Sequence, residues 1–297
     1  MHLPVLVDEV TFLLRPRGEG WVVDGTIGMG GHAERLLDAG GPATRLLGID
    51  RDATALGYAR DRLARFAGRV VLTHGSFARL AELARDVGAT PVVAIILDLG
   101  LSSYQLDESG RGFSFQREEP LDMRFDPTRG RTAAEFVNSL PADELARVLL
   151  DYGEERHARR IAWRIVERRR QGPLATTVDL VTAVKSAVPR AAWSPRVHVA
   201  TRTFQAVRML VNDEAAALTE ALPQAASLLA RHGRLGVISF HSGEDRIVKR
   251  SFRFLKERGG FAELLPSPIQ PDRDEVTANP RARSAKLRVL ERLEDAA

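Results

Sequence analysis

Apolar and polar positions change rhythm twice along the 297 residues of the chain. From residue 21 to residue 100, short β-branched runs alternate with stretches whose apolar residues recur every three or four positions, as in Leu56, Ala59, Leu63 and Phe66. The spacing puts a stripe on a helix, while the short runs suit strands. Strands are predicted at 21–24, 46–50, 70–74 and 92–98, with helices at 32–39, 52–66 and 77–87. Strands separated by helices of this length build a parallel sheet covered on both faces. Residues 92–98 are apolar with no alternation, as a strand buried on both sides should be.

After Gly100 the strands stop. A segment rich in Gly, Ser, Asp and Pro runs from 99 to 131, too long for a plain connection and therefore expected to cover a functional site. Helical patterns follow at 132–140, 142–152, 154–170, 177–188 and 201–210, with Thr132 and Glu135 predicting a capping box and Thr177 a second N-cap. From Asp213 the strand rhythm returns. A helix through Leu229, a turn at His232-Gly233, a strand at 234–240, a helix at 244–258 and a strand at 286–290 complete the sheet. Residues 261–283, which hold Pro266, Pro268, Pro271 and Pro280, are predicted as loop. The expected organisation is one α/β domain in two parts, 1–108 and 213–297, interrupted by a helical insertion at 109–212.

Hydrophobic residues at 44% and charged residues at 28% are ordinary globular usage, which excludes a disordered or fibrous chain. There is no cysteine, so a disulfide framework, thiolate metal ligation and a cysteine nucleophile are all excluded. No metal site is expected. The start Met1-His2-Leu3-Pro4 lacks a basic n-region, and the longest strongly apolar run, 92–97, is far short of the roughly 18 residues of a membrane span. A cytoplasmic protein with no membrane association is expected.

The net charge of +4 conceals an uneven distribution. Residues 1–150 carry 17 basic and 21 acidic side chains, residues 151–212 carry 12 and 5, and residues 213–297 carry 14 and 13. A solvated helical face and a nucleic-acid surface both fit that middle excess.

The sharpest motif is Asp24-Gly25-Thr26-Ile27-Gly28-Met29-Gly30-Gly31-His32, placed between the first strand and the next helix. Glycines there allow a tight turn and a close approach of backbone to a ligand. Asp50 ends the next strand, where a carboxylate suits the two hydroxyls of a ribose. Two cofactor classes fit the glycines. Gly28 to Ala33 reads as G-x-G-x-x-A, which suits a nicotinamide-dependent oxidoreductase. Asp24 would repel a pyrophosphate but would meet the ammonium of an amino-acid moiety. With Asp98 ending the fourth strand and Phe77 following the third as an adenine wall, acids at three strand ends suit the cationic sulfonium of S-adenosylmethionine. The plainer roles, Asp50 as a helix cap and Phe77 as core, stay open.

Longer blocks add a resemblance. Asp24-Gly25-Thr26, Gly30-Gly31-His32, Asp98-Leu99-Gly100-Leu101-Ser102-Ser103, Arg111-Gly112-Phe113-Ser114-Phe115, Pro120-Leu121-Asp122-Met123-Arg124, Tyr152-Gly153-Glu154-Glu155, Thr201-Arg202-Thr203-Phe204-Gln205-Ala206-Val207-Arg208, Ser239-Phe240-His241-Ser242 with Glu244-Asp245-Arg246, and Asn279-Pro280-Arg281-Ala282-Arg283-Ser284 occur in order over nearly the whole chain. In these the sequence resembles the bacterial S-adenosylmethionine-dependent methyltransferases that modify N4 of a decoding-centre cytidine in 16S ribosomal RNA. The resemblance implies a Rossmann-like class I methyltransferase domain interrupted by a helical domain, with the 16S rRNA of the small ribosomal subunit as partner. It puts cofactor contacts at Gly30, Gly31, His32, Asp50, Phe77, Asp98 and Gln105, beside Asp24 and Gly28 from the motif itself. The chain departs from the family pattern at Tyr104, at Gly243 and at Val199.

Methyl transfer from a sulfonium is an in-line displacement, so the enzyme must above all hold the acceptor nitrogen in place. The amino lone pair of cytosine is conjugated with the ring, and acceptors aimed at its N–H groups favour the pyramidal nitrogen that attacks. Asp98 is expected to bound that pocket, with Ser102, Ser103 or His241 as second contact; turn chemistry and a structural histidine are the plainer readings. Tyr104, Phe113, Phe115 and Phe240 are candidates for stacking on the base. Arg156, Arg159, Arg160, Arg164, Arg168, Arg169 and Arg170 are candidates for phosphate contact. A noncatalytic RNA-binding assembly factor is the remaining alternative.

Overall fold

The structure, a computed structural model, describes residues 4–195 and 197–293. The opening Met1-His2-Leu3, on which the expectation about a leader rests, lies outside them. The chain divides into two compact units, one of Met1–Gly100 with Ala215–Ala297 and one of Leu101–Glu214, so the divisions fall at 100 and 214 where 108 and 212 were expected.

The first unit is built on seven strands: β1 (Gly20–Asp24), β2 (Thr44–Asp50), β3 (Val70–His74), β4 (Val92–Asp98), β5 (Leu229–Ser239), β6 (Phe261–Glu263) and β7 (Lys286–Arg292), in the order β3-β2-β1-β4-β5-β7-β6. The first five run parallel, and β7 is antiparallel to both β5 and β6. Strand order reverses between β1 and β4, and in open parallel sheets ligands bind outside the carboxyl ends at that point.

Period-two alternation sorts the core onto both faces of this sheet. Val22, Leu46, Ala94, Ile96 and Ile238 pack with helices Val7–Leu14, Gly31–Ala39 and Ala53–Arg62. Val23, Leu47, Ile95, Leu97 and Val237 pack with helices Leu80–Asp86, Glu214–Leu228 and Ser242–Arg258. Several predicted features change. The turn at His232-Gly233 is an irregularity inside β5, where His232 takes φ 61° and pairing with β4 jumps from Leu229 to Arg234. Residues 261–283 are not plain loop: they contain β6, the helix Arg273–Ala278 capped by Asp272, and the start of a 3-10 turn at Pro280–Ser284. All three elements are too short for periodicity to register.

The second unit has its own core, drawn from Phe113, Leu121, Met123, Val137, Leu149, Ile161, Ile165, Val184, Phe204 and Val207. Its helices are Ser103–Asp107, Ala133–Ser139, Ala142–Asp151, Ala158–Arg169, Thr177–Ala187 and Thr201–Asn212. The Thr132–Glu135 capping box forms as predicted. The second N-cap moves back one residue, to Thr176 with Asp179. The buried Thr177 is engaged elsewhere, since its hydroxyl donates to Arg117 O at 2.6 Å and accepts from Glu119 N at 3.2 Å. The segment expected to be a cover thus supplies core and is pinned within its own unit.

Asn212 is the main anchor of that segment. Its Oδ1 accepts from Phe125 N at 2.8 Å, and its Nδ2 donates to Met123 O at 2.7 Å and Arg208 O at 3.0 Å. Met123 is fully buried with φ 60°, a conformation that a non-glycine residue holds only when its surroundings fix it. Asn212→Leu strands a buried donor and acceptor, and its expected cost is on the order of 3 kcal/mol. Urea unfolding followed by the helical signal should show an earlier transition; an unchanged midpoint would remove the anchor.

Candidate functional site

Three carboxylates stand at the carboxyl ends of adjacent strands: Asp24 on β1, Asp50 on β2 and Asp98 on β4. The loop after β1 is woven between them. Thr26 N donates to Asp24 Oδ1 at 3.1 Å, Gly28 N donates to Asp50 Oδ2 at 2.8 Å, and Asp98 N donates to Thr26 Oγ1 at 2.6 Å. Thr26 therefore ties the ends of β1 and β4 together. In the sequence it is one letter of a motif, with nothing to mark this role.

The glycines differ in what they provide. Gly28 and Gly30 have φ 50° and 80°, and Gly30 opens the helix Gly31–Ala39 in the left-handed conformation. Gly31 needs no unusual φ; a Cβ there would run into Pro4 of its own chain. Its smallness serves internal packing.

Electrostatics mark this end of the sheet. Asp24 is 2% exposed, and burial pushes its carboxyl up to about 7, with the neighbouring charges of Asp98 and Asp50 adding to the rise and His32 and the Thr26 N–H opposing it. Burial likewise raises Asp50 to about 6, against the N–H groups of Asp52 and Gly28. Asp50 does not cap the helix Ala53–Arg62, since Asp52 does. Asp98 is 23% exposed along its side chain and accepts from Gly100 N at 3.3 Å. His32 Nε2 lies 3.4 Å from Asp98 Oδ2 but out of hydrogen-bonding geometry, and among the described residues both ring nitrogens of this buried histidine lack a partner. Buried polar atoms are paired in native proteins, so an imidazole like this points to a ligand. Phe77 opens a short 3-10 turn at the end of β3 and is only partly covered by the core. Phe240 lies over Gly100, where a Cβ would meet its ring.

Other expected residues have local roles. Ser102 and Gln105 form a reciprocal capping box, with Ser102 Oγ accepting from Gln105 N and Gln105 Oε1 accepting from Ser102 N, and Ser103 is the first residue of that helix. His241 caps the helix Ser242–Arg258: its Nδ1 accepts from Glu244 N at 3.3 Å, and its buried Nε2 lies 3.0 Å from Glu244 Oε1 but out of hydrogen-bonding geometry. Glu244, a buried carboxylate of the same sequence block, also accepts from Phe240 N at 2.8 Å. Phe113 is buried in the helical core and stacks on Phe125, which removes it from the stacking candidates, while the partly buried Phe115 stacks on His198.

The arginine group is corrected in the same way. Arg169 Nη1 donates to Val137 O and Leu140 O at 2.9 and 2.8 Å, Arg168 pairs with Asp179 at 3.6 Å, and Arg164 pairs with Glu167. Arg168 and Arg169 thus reach neighbouring elements of the helical unit, whereas the Arg164 pair lies within its own helix. Arg156, Arg159, Arg160 and Arg170 are exposed.

A sheet ordered β3-β2-β1-β4-β5-β7-β6, with a glycine loop after β1 and acids at three adjacent strand ends, defines a Rossmann-like class I methyltransferase that uses S-adenosylmethionine. Residues 1–293 match the MraW methylase family, and the chain belongs to that family. The chain is similar to ribosomal RNA small subunit methyltransferase H of Geobacter sp. (strain M21), at 47% identity over 98% of each chain, and to the protein of the same name in Geotalea uraniireducens (strain Rf4), at 46% identity over 98% of each. Among solved structures, a putative rRNA-methylase from Clostridium thermocellum aligns over 100% of this chain and 99% of its own at 12% identity, with a TM-score of 0.48. The nicotinamide and noncatalytic readings are set aside by the family. Among the described residues no helix is long and apolar enough to cross a membrane.

Proposed function

We propose that the chain methylates N4 of a decoding-centre cytidine in the 16S rRNA of the small ribosomal subunit, in the cytoplasm. The observation that carries the substrate class is the near-full-length similarity to small-subunit rRNA methyltransferases. The choice of N4 draws on chemistry. Without a cysteine the chain has no thiolate for the covalent route to C5 of cytosine, and the β4 end offers a carboxylate beside an aromatic ring.

The residues fit S-adenosylmethionine. An unpartnered buried imidazole at His32 and a buried carboxylate at Asp24 that desolvation raises to about 7 are groups that a cationic ligand with hydrogen-bonding functions would satisfy. We assign the donor site to Asp24, Gly28, Gly30, Gly31, His32, Asp50, Phe77 and Asp98, with Asp24 on the ammonium, Asp50 on the ribose and Phe77 beside the adenine. When bound, the group supplies a methyl on a cationic sulfur. Asp98 is assigned to the amino group of the base as hydrogen-bond acceptor, collecting the positive charge that develops on nitrogen. No strong base is needed, because a methylated cytosinium gives its proton to water. Ser102, Ser103, Gln105 and His241 are assigned to shaping their loops. Arg156, Arg159, Arg160 and Arg170 are assigned to RNA phosphates.

Incubating the enzyme and labelled S-adenosylmethionine with small subunits from cells lacking this methyltransferase should yield labelled N4-methylcytidine on nucleoside analysis. Label in 5-methylcytidine or on a ribose oxygen would overturn the N4 assignment.

A further inference from the structure

The helical unit carries an open concavity that the proposed chemistry leaves unused. It measures about 270 Å³ and is lined by Arg159, Arg160, Trp163, Arg164, Ser186 and Ala187. The helix Ala158–Arg169 turns Ala158, Ile161, Ala162 and Ile165 inward, so by helical period the residues at 159, 160 and 163 fall on the outer face. Trp163 is 58% exposed. An indole left in water among cations offers a large apolar face that a stacked ring would cover. Arg164 places its guanidinium carbon 5.5 Å from the Trp163 ring centroid, and its Nε is buried without a hydrogen-bond partner. Among the described residues, Arg164 is the one arginine of the three that pairs with an acid. The other two leave their charge available.

We propose that this concavity binds one unpaired nucleotide of the RNA, with the base stacked on Trp163 and the phosphate held by Arg159 and Arg160. The inference rests on the reading of the chain as an RNA methyltransferase. Every base has a π face, so a tryptophan platform accepts a single strand with little regard to sequence. Paired bases are closed to such a platform, which makes the site selective for unpaired segments. The site lies wholly within the helical unit and uses no residue assigned to the methyl donor.

The probe is a ten-nucleotide single-stranded oligoribonucleotide of mixed sequence, titrated into the full-length protein with tryptophan emission as readout. Trp21 is buried and Trp193 is tied through its Nε1 to Val188 O, so Trp163 is the fluorophore most open to iodide. The oligonucleotide should quench emission and shield it from iodide. Trp163→Ala should weaken oligonucleotide binding about tenfold with an unchanged salt slope, and Trp163→Phe should stay within about threefold of wild type. Arg159→Gln with Arg160→Gln should reduce the salt slope by about one to two. Wild-type affinity in Trp163→Ala, iodide access unaltered by the oligonucleotide, or equal affinity for a duplex of the same length overturns the proposal. So does a response to phosphatidylglycerol vesicles with none to the oligonucleotide. Loss of the Trp163 response with N4-methylation intact sinks this pocket alone. An intact response with no N4-methylcytidine sinks the assigned methylation and supports the pocket.

Discussion

Asp24→Asn is expected to stabilise the ligand-free protein above pH 7 and, at pH 8, to weaken S-adenosylmethionine binding about a hundredfold. The folded state holds a proton on Asp24 up to about pH 7, whereas the unfolded chain releases it near the ordinary value of 3.8. Between those values the folded state binds more protons than the unfolded state, so this group makes stability fall as pH rises from about 4 to about 7. Asp50, raised to about 6, adds a fall of the same sign over a narrower range. Asparagine keeps the acceptor used by the Thr26 N–H and carries no charge at any pH, so it removes the Asp24 part of that loss. Thermal melts at pH 5.5 and 8 should therefore diverge less in the variant than in wild type. Binding has the opposite sign. A ligand ammonium favours the ionised carboxylate, and losing that pairing is worth about 3 kcal/mol at an effective dielectric near 20. In wild type the proton must leave, so affinity should rise from pH 6 to pH 8, with proton release visible by calorimetry in buffers of different ionisation enthalpy. Affinity in the variant should be flat over that range. A variant that binds S-adenosylmethionine as tightly as wild type at pH 8 removes Asp24 from the donor site.

The same carboxylate shows what a sequence does and does not make legible. Strand ends are readable because apolar runs stop abruptly at Asp24, Asp50 and Asp98, and helical spacing supplies the connections between them. The helical insertion is readable for the same reason. Charge role is not: Arg168 and Arg169 look no different from Arg159 in a composition window, yet Arg169 closes the end of the helix Ala133–Ser139 through two carbonyls of a segment about thirty residues away. Motif membership is equally silent about role. Gly31 and Thr26 sit in one block with Gly30, and only packing separates the glycine that makes room for Pro4 from the threonine that joins two strands. Capping residues stay ambiguous because Ser102 and His241 carry side chains equally suited to a helix end and to a substrate, and the sequence does not show which backbone N–H groups lie in reach.

At saturating S-adenosylmethionine, Asp98→Asn is expected to lower the single-turnover rate of methyl transfer by a factor of about 100 to 1,000. That magnitude is typical of removing one preorganised group aimed at charge that develops only in the transition state. The position is held firmly: Asp98 N donates to Thr26 Oγ1, its Oδ1 accepts from Gly100 N, and Gly100 in turn lies against Phe240. A carboxylate fixed this way only accepts, which suits an amino group turning cationic as it attacks. Asparagine preserves shape and one acceptor but brings N–H donors and no charge, so it opposes the pyramidal nitrogen while leaving the loop intact. Expected affinity for the methyl donor changes by less than about tenfold, since Asp24 and Asp50 stay in place. The two aspartates are then separable by experiment: Asp24 acts on binding, with a pH signature, and Asp98 on rate. If Asp98→Asn loses affinity in proportion and keeps its rate, Asp98 serves the donor alone and the amino group is held elsewhere. The choice turns on one measurement because both carboxylates come from adjacent strands of one sheet, so distance alone does not assign them.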